Sequence, residues 1–200
     1  MANWASTDYV IEGPEETLLK IKEAIQHPIK SDGASDGYEG DILDTLGIKW
    51  QPRQSDGSVN YMRGFIQDTE CIEFNPETDT TLSFYAEEAW GATDFHEVLE
   101  KGLPDVKVYF CVVEEGEELY ATNDKEGKYF PYRWHLEACF DGNYEYEEFI
   151  DEKSMYKWLS AETNGRVKST QDVEDFNSDY EDSGTEDENY IWIHKYEVVD

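Results

Sequence analysis

Val106, Val108, Phe110 and Val112 alternate strictly with their neighbours along one β-branched run. A period of two in such residues commits the segment to a strand with one face turned to a core, so the chain must supply a sheet around it. The preceding residues offer partners. Ile66, Ile72 and Phe74 share one parity, which predicts a strand across 66–74. Asn75-Pro76-Glu77-Thr78-Asp79 is a turn, because these residues favour turns and Pro76 cannot donate to a ladder. Leu82, Phe84 and Ala86 then alternate with Ser83, Tyr85 and Glu87, giving a second strand and, by the short connection, a hairpin. Thr93 or Asp94 caps a helix carrying Phe95, Val98 and Leu99, which Gly102 and Pro104 end.

The chain begins with an extended pattern from Trp4 to Gly13. Pro14 opens a helix whose first turn holds Glu15 and Glu16 and whose apolar stripe is Leu18, Leu19, Ile21, Ala24 and Ile25. His27-Pro28 stops it. Residues 28–61 read as a surface insertion: a flexible loop from Ser31 to Gly40, a helical turn around Ile42 to Leu46, and a loop from Gln51 to Asn60.

The order strand, helix, strand, strand, helix, strand is that of an α+β, ferredoxin-like βαββαβ core over residues 1–115, a mostly antiparallel sheet with two helices on one face. Another two-layer α+β sheet is the alternative. Residues 116–200 read as a β-rich extension packed on that core as one compact unit, with strands at Leu119–Thr122, Tyr132–Phe140 and Tyr144–Phe149. Asp141-Gly142-Asn143 is a hairpin turn, and a helix over Ser154–Glu162 presents Met155, Trp158 and Leu159. Residues 172–188 form an acidic, solvated loop, after which Tyr190 to Val199 is a strand returning to the sheet.

A formal net charge of −31 repels phosphate backbones and anionic lipid, which excludes direct nucleic-acid and membrane binding and favours a basic protein partner. Six Trp, fourteen Tyr and nine Phe supply enough apolar surface for a folded chain despite that charge. Cys71, Cys111 and Cys139 are odd in number and far apart, the pattern of reduced thiols packed in strands, and no apolar run reaches the length of a membrane span. The expected location is the cytoplasm.

Asn3-Trp4 with Ser6, leading into a strand and Gly13-Pro14, resembles the opening of the YubB-like family. Ala89-Trp90, Leu103-Pro104-Asp105 and Glu114-Glu115-Gly116 extend the resemblance, which covers residues 1–140. The family's Cys after Asn-Trp is Ala5 here, and the 28–61 insertion is elaborated. The resemblance implies a ferredoxin-like fold, named for its shape and not for a cluster, in a bacterial, plasmid- or phage-associated setting. It carries over no catalytic residue.

No motif assigns a catalytic residue, a cofactor or a metal. The cysteines lack C-x2-C spacing, and His27, His96, His135 and His194 lack HExxH or HxH spacing. Asn177, Asp179, Glu181, Ser183, Thr185 and Glu188 fall on the ligand positions of a calcium loop, but Asp182 stands where the turn needs Gly. The candidate binding surface is Tyr85 and Tyr109, on strand faces opposite the apolar rows, with His135 and Glu137, which share a strand face and can pair. The tyrosines resemble base-stacking platforms but lack basic surroundings. Three classes of function stay open: a non-enzymatic protein-binding or assembly module with a very acidic surface, a DNA mimic that occupies a basic DNA-binding protein, and an enzyme of unrecognised type.

Overall fold

The computed structural model of the chain describes residues 3–31, 36–50, 62–91, 94–181 and 189–199. The expected loop at 51–60, the Thr93 cap position and the 182–188 part of the acidic tract lie outside these residues. The fold is mixed α+β and divides into two compact units, residues 1–125 with 199–200, and residues 126–198.

Unit 1 is built on a mostly antiparallel sheet. Its strands are β1 (Trp4–Glu12), β2 (Gly64–Ile66), β3 (Thr81–Ala89), β4 (Lys107–Glu114) and β5 (Leu119–Thr122), and the short β9 (Glu197–Val198) completes the order β2-β3-β1-β4-β5-β9. β1 is central. Tyr9 lies opposite Phe84 on one side and Phe110 on the other, so the three rings share a face, with Tyr9 5.2 Å from Phe84 and 6.4 Å from Phe110. Helices α1 (Glu15–Gln26), α2 (Glu39–Thr45) and α3 (Phe95–Gly102) close over that face: Leu18, Ile21 and Ile25, Ile42 and Leu43, and Phe95 and Leu99 join the strand residues in one core. Each such side chain removed from water contributes about 1.5–3 kcal/mol before the entropy of ordering is subtracted.

The expected strand at 66–74 is not formed as such. β2 ends at Ile66, Asp68 takes the left-handed conformation (φ 48°), and Thr69–Cys71 forms a 3-10 turn. Ile66, Ile72 and Phe74 are nevertheless all buried. The parity correctly reported which side chains reach the core, but a strand also needs continuous pairing, and the left-handed residue breaks it. β2 and β3 are antiparallel neighbours joined by a long excursion and not by a tight hairpin. The other edge of β2 is occupied by the insertion: Ile66 N–H donates to the Gly37 carbonyl at 2.8 Å and Tyr38 bridges Phe65.

Unit 2 holds a separate three-stranded antiparallel sheet in the order β7-β6-β8, from β6 (Trp134–Phe140), β7 (Asn143–Phe149) and β8 (Tyr190–Lys195). α4 (Glu152–Glu162) and α5 (Thr170–Glu181) pack on it, and Leu136, Ala138, Ile191, Met155, Leu159, Val173 and Phe176 form its core. The expected strand over Tyr190–Val199 is thus split: Tyr190–Lys195 pairs with β6 in this second sheet, while Glu197–Val198 forms β9 at the end of the first. Nor is the whole acidic tract a loop. α5 runs through its first part because Val173 and Phe176, three apart, bury one side of an otherwise charged helix. Asn177 fastens the helix to β8: its Nδ2 donates to the Ile191 carbonyl and its Oδ1 accepts from the Ile191 N–H, both at 2.9 Å. The calcium register is broken at its start, since Asn177 is so engaged and Asp179 pairs with Arg166.

No helix among the described residues is long and apolar enough to cross a membrane. Cys139 is buried, but Cys71 lies exposed in the 3-10 turn and not in a strand, and none of the three cysteines forms a disulfide.

Candidate functional site

The sheet face of unit 1 turned away from the helices carries Trp4, Ser6 and Asp8 of β1, all exposed. Tyr85 is the cross-strand partner of Asp8 and Tyr109 that of Val10, which puts both tyrosines on this face with β1 between them. Their hydroxyls are engaged. The Tyr85 Oη is 3.0 Å from Ser6 Oγ, and Tyr109 donates to Glu12 Oε2 at 3.4 Å. Exposed Glu87 and Asp8 flank Tyr85, surroundings that disfavour a phosphate backbone and favour cations.

One end of this face gathers residues that the sequence scatters. Trp4 opposes Ala89 in the ladder, and the next residue, Trp90, returns its N–H to the Asn3 carbonyl at 2.8 Å. Trp90 sits at φ +64°, a left-handed backbone rarely adopted by an aromatic residue, and the following Gly91 at φ +106° completes the reversal. The result is two indoles at the sheet end, 51% and 54% exposed for Trp4 and Trp90. The Arg63 guanidinium lies 4.8 Å from the Trp90 ring centroid, so this end already displays one cation–aromatic pair of its own. Trp4 is 6.1 Å from Phe65.

Beside Trp4 opens a cleft of about 270 Å3 lined by Trp4, Ser6, Val113, Glu114, Glu115 and Gly116. Its wall is rigid. The Glu114 carboxylate accepts from the Gly116 N–H at 3.0 Å and the Glu117 N–H at 2.7 Å, capping the 3-10 turn Glu115–Glu117, and Asn3 Nδ2 donates to Glu117 Oε1 at 3.2 Å. The exposed Glu115 carboxylate is left on the rim. A small, almost wholly polar cleft lined by Glu114 and Glu115, with the exposed Trp4 indole beside it, suits an ammonium or guanidinium group.

In unit 2, His135 and Glu137 are brought together, and β8 adds His194, the cross-strand partner of His135. Glu137 Oε1 lies 3.7 Å from His135 Nε2 and 4.0 Å from His194 Nε2, both too long for hydrogen bonds. Spacing along the chain gives no sign of the 135–194 pairing, which only the sheet register creates. Among the described residues no three His, Cys, Asp or Glu side chains converge to hold a metal ion.

A buried polar cluster lies on the core side of unit 1. Tyr9 donates to Glu88 Oε1 at 2.9 Å, and burial first, then the Glu88 and Glu39 carboxylates, push the phenol well above its ordinary pKa. The sequence does carry a signal for it: Glu88 continues the apolar row of Leu82, Phe84 and Ala86, and a charge in such a row marks a buried group.

No protein-family model, curated protein or solved structure matches this chain.

Proposed function

We propose that this chain is a non-enzymatic binding module for a basic protein partner, and that a Lys or Arg side chain of that partner seats in the cleft between Trp4 and Glu115. The observation carrying this reading is the exposed Trp4 indole against a carboxylate-rimmed cleft on a chain of net charge −31. An aromatic face attracts a cation by about 0.5–2 kcal/mol, and a nearby carboxylate adds charge pairing that salt weakens. The module is built, in this reading, on a ferredoxin-like core. The strand order β2-β3-β1-β4, antiparallel throughout, supports it, because a split βαβ arrangement places its strands in that sequence. So does the meeting of Asn3-Trp4, Ser6 and Glu114-Glu115-Gly116, motifs that resemble those of the YubB-like family, at one cleft.

The test is calorimetric titration of the whole chain with an oligoarginine peptide at about 50 mM and about 300 mM salt. Trp4→Ala should weaken binding by about tenfold at both salt levels and Glu115→Gln by about tenfold at the lower and less at the higher, while Glu77→Gln, on a remote exposed turn, changes it less than about twofold. Equal affinities for all four proteins would show mere attraction to overall charge and remove the cleft. A DNA mimic behaves differently: it displaces DNA from a basic DNA-binding protein whether or not Trp4 is present.

A further inference from the structure

On a surface separate from that cleft, we infer that the outer edge of β7 is a β-addition site for an extended, cationic segment of another protein. β7 is an end strand of its sheet, seven residues long, without proline. Its exposed backbone can be assigned from the turn that precedes it. Asp141 (φ +51°) and Gly142 (φ +80°) form a two-residue type I′ loop, which makes Phe140 and Asn143 a hydrogen-bonded pair. Bonded and non-bonded pairs then alternate. Glu145, Glu147 and Phe149 therefore direct their N–H and C=O toward β6, in keeping with the Phe149 carbonyl accepting from Arg133 N–H at 2.8 Å. Tyr146 and Glu148 direct theirs outward, offering about four ladder hydrogen bonds to an incoming strand.

Side chains define what that strand carries. β7 reads Asn-Tyr-Glu-Tyr-Glu-Glu-Phe, three glutamates and no Lys or Arg. Glu145 and Glu147 lie on one face; Tyr146, 61% exposed, and Glu148 lie on the other. A second copy of β7 would set glutamates against glutamates, which disfavours self-pairing. A segment with Lys or Arg at alternate positions sets a cation beside Glu145 and Glu147 and an apolar residue beside Tyr146. Backbone bonds supply affinity and the charge alternation supplies selectivity.

The probe is a short peptide alternating Lys and Val, added to the whole chain and followed by amide hydrogen exchange and calorimetry. Exchange at Tyr146 and Glu148 should slow by about tenfold or more at saturation. The same peptide N-methylated at alternate backbone nitrogens should bind about tenfold more weakly, and its Glu-Val counterpart should not bind. Tyr146→Pro removes an outward N–H without touching the β6 ladder and should weaken binding about tenfold, whereas Tyr146→Thr stays within about threefold. If Tyr146→Pro fails to fold, the N-methylated peptide decides. Unslowed exchange at these two amides, equal binding of the N-methylated peptide, or binding of the Glu-Val peptide overturns the inference. Trp4→Ala leaves this binding unchanged, so the cleft and the edge stand or fall separately.

Discussion

The Tyr9 hydroxyl donates to Glu88 Oε1 at 2.9 Å with both side chains almost wholly out of solvent. Tyr9→Phe keeps the ring contacts with Phe84 and Phe95 and deletes only this donor, leaving a buried carboxylate poorer by one bond. The expected loss is about 1–3 kcal/mol, read as a lower urea midpoint at unchanged slope. pH dependence follows from the raised phenol pKa. The folded chain holds the proton where the unfolded one releases it, so Tyr9 contributes stability that is complete below about pH 10 and declines as pH rises through the higher folded value. Tyr9→Phe should flatten that alkaline decline in a midpoint-versus-pH series.

Gly64 is the cross-strand partner of Glu88, and the Glu39 carboxylate fills the space a Gly64 side chain would take, its Cδ 2.5 Å from the position of a Cβ. Gly64→Ala must displace that buried carboxylate or open the β2–β3 pairing. We expect a cost of about 2 kcal/mol or more in thermal or urea unfolding, although alanine normally stabilises relative to glycine. A neutral or stabilising result would show that Glu39 is not held there.

Asn123, just beyond β5, continues that strand with a side chain. Its Oδ1 accepts from Phe110 N–H and its Nδ2 donates to the Val108 carbonyl, each at 2.8 Å. Asn123→Ala leaves both groups of β4 without this partner and should cost about 1–3 kcal/mol. Asn123→Asp retains the acceptor but turns a carboxylate oxygen toward a carbonyl, so it should not rescue. Hydrogen exchange at Phe110 is the site-specific readout, accelerated in both variants.

Asp151 caps α4: its Oδ1 accepts from Ser154 N–H at 2.7 Å. Asp151→Ala should cost about 0.5–2 kcal/mol, and Asp151→Ser or Asp151→Asn most of a cap less. Faster exchange should be confined to α4 and its neighbours in unit 2, with the amides of β1 and β4 unaffected.

Alternation in β1, β3, β4 and β6 and the turn residues Asp141-Gly142 made most strands legible, because a half-buried strand writes its two faces directly into the chain. The same code misled at 66–74, where Ile72 and Phe74 reach the core from an irregular path after left-handed Asp68. α5 was hidden because only Val173 and Phe176 anchor it amid acidic residues. Of the site, parity placed Tyr85 and Tyr109 on the face away from the core, and shared parity put His135 beside Glu137. The Trp4–Trp90 end and the approach of His194 depend on pairings between distant segments, which no local pattern records.

Residues 126–198 depart from unit 1 after Lys125 and rejoin it at Val199, whose N–H bonds to the Thr122 carbonyl at 2.9 Å. Departure and return are therefore clamped a few residues apart. While that clamp holds, a melted 126–196 is a closed ring instead of a chain with free ends, and the disorder it gains is curtailed as it would be by a crosslink at the ring's base. Heat damage should accordingly spread in one direction: loss of the six-stranded sheet releases the ring and weakens what it contains, whereas melting of the ring leaves the clamp in place.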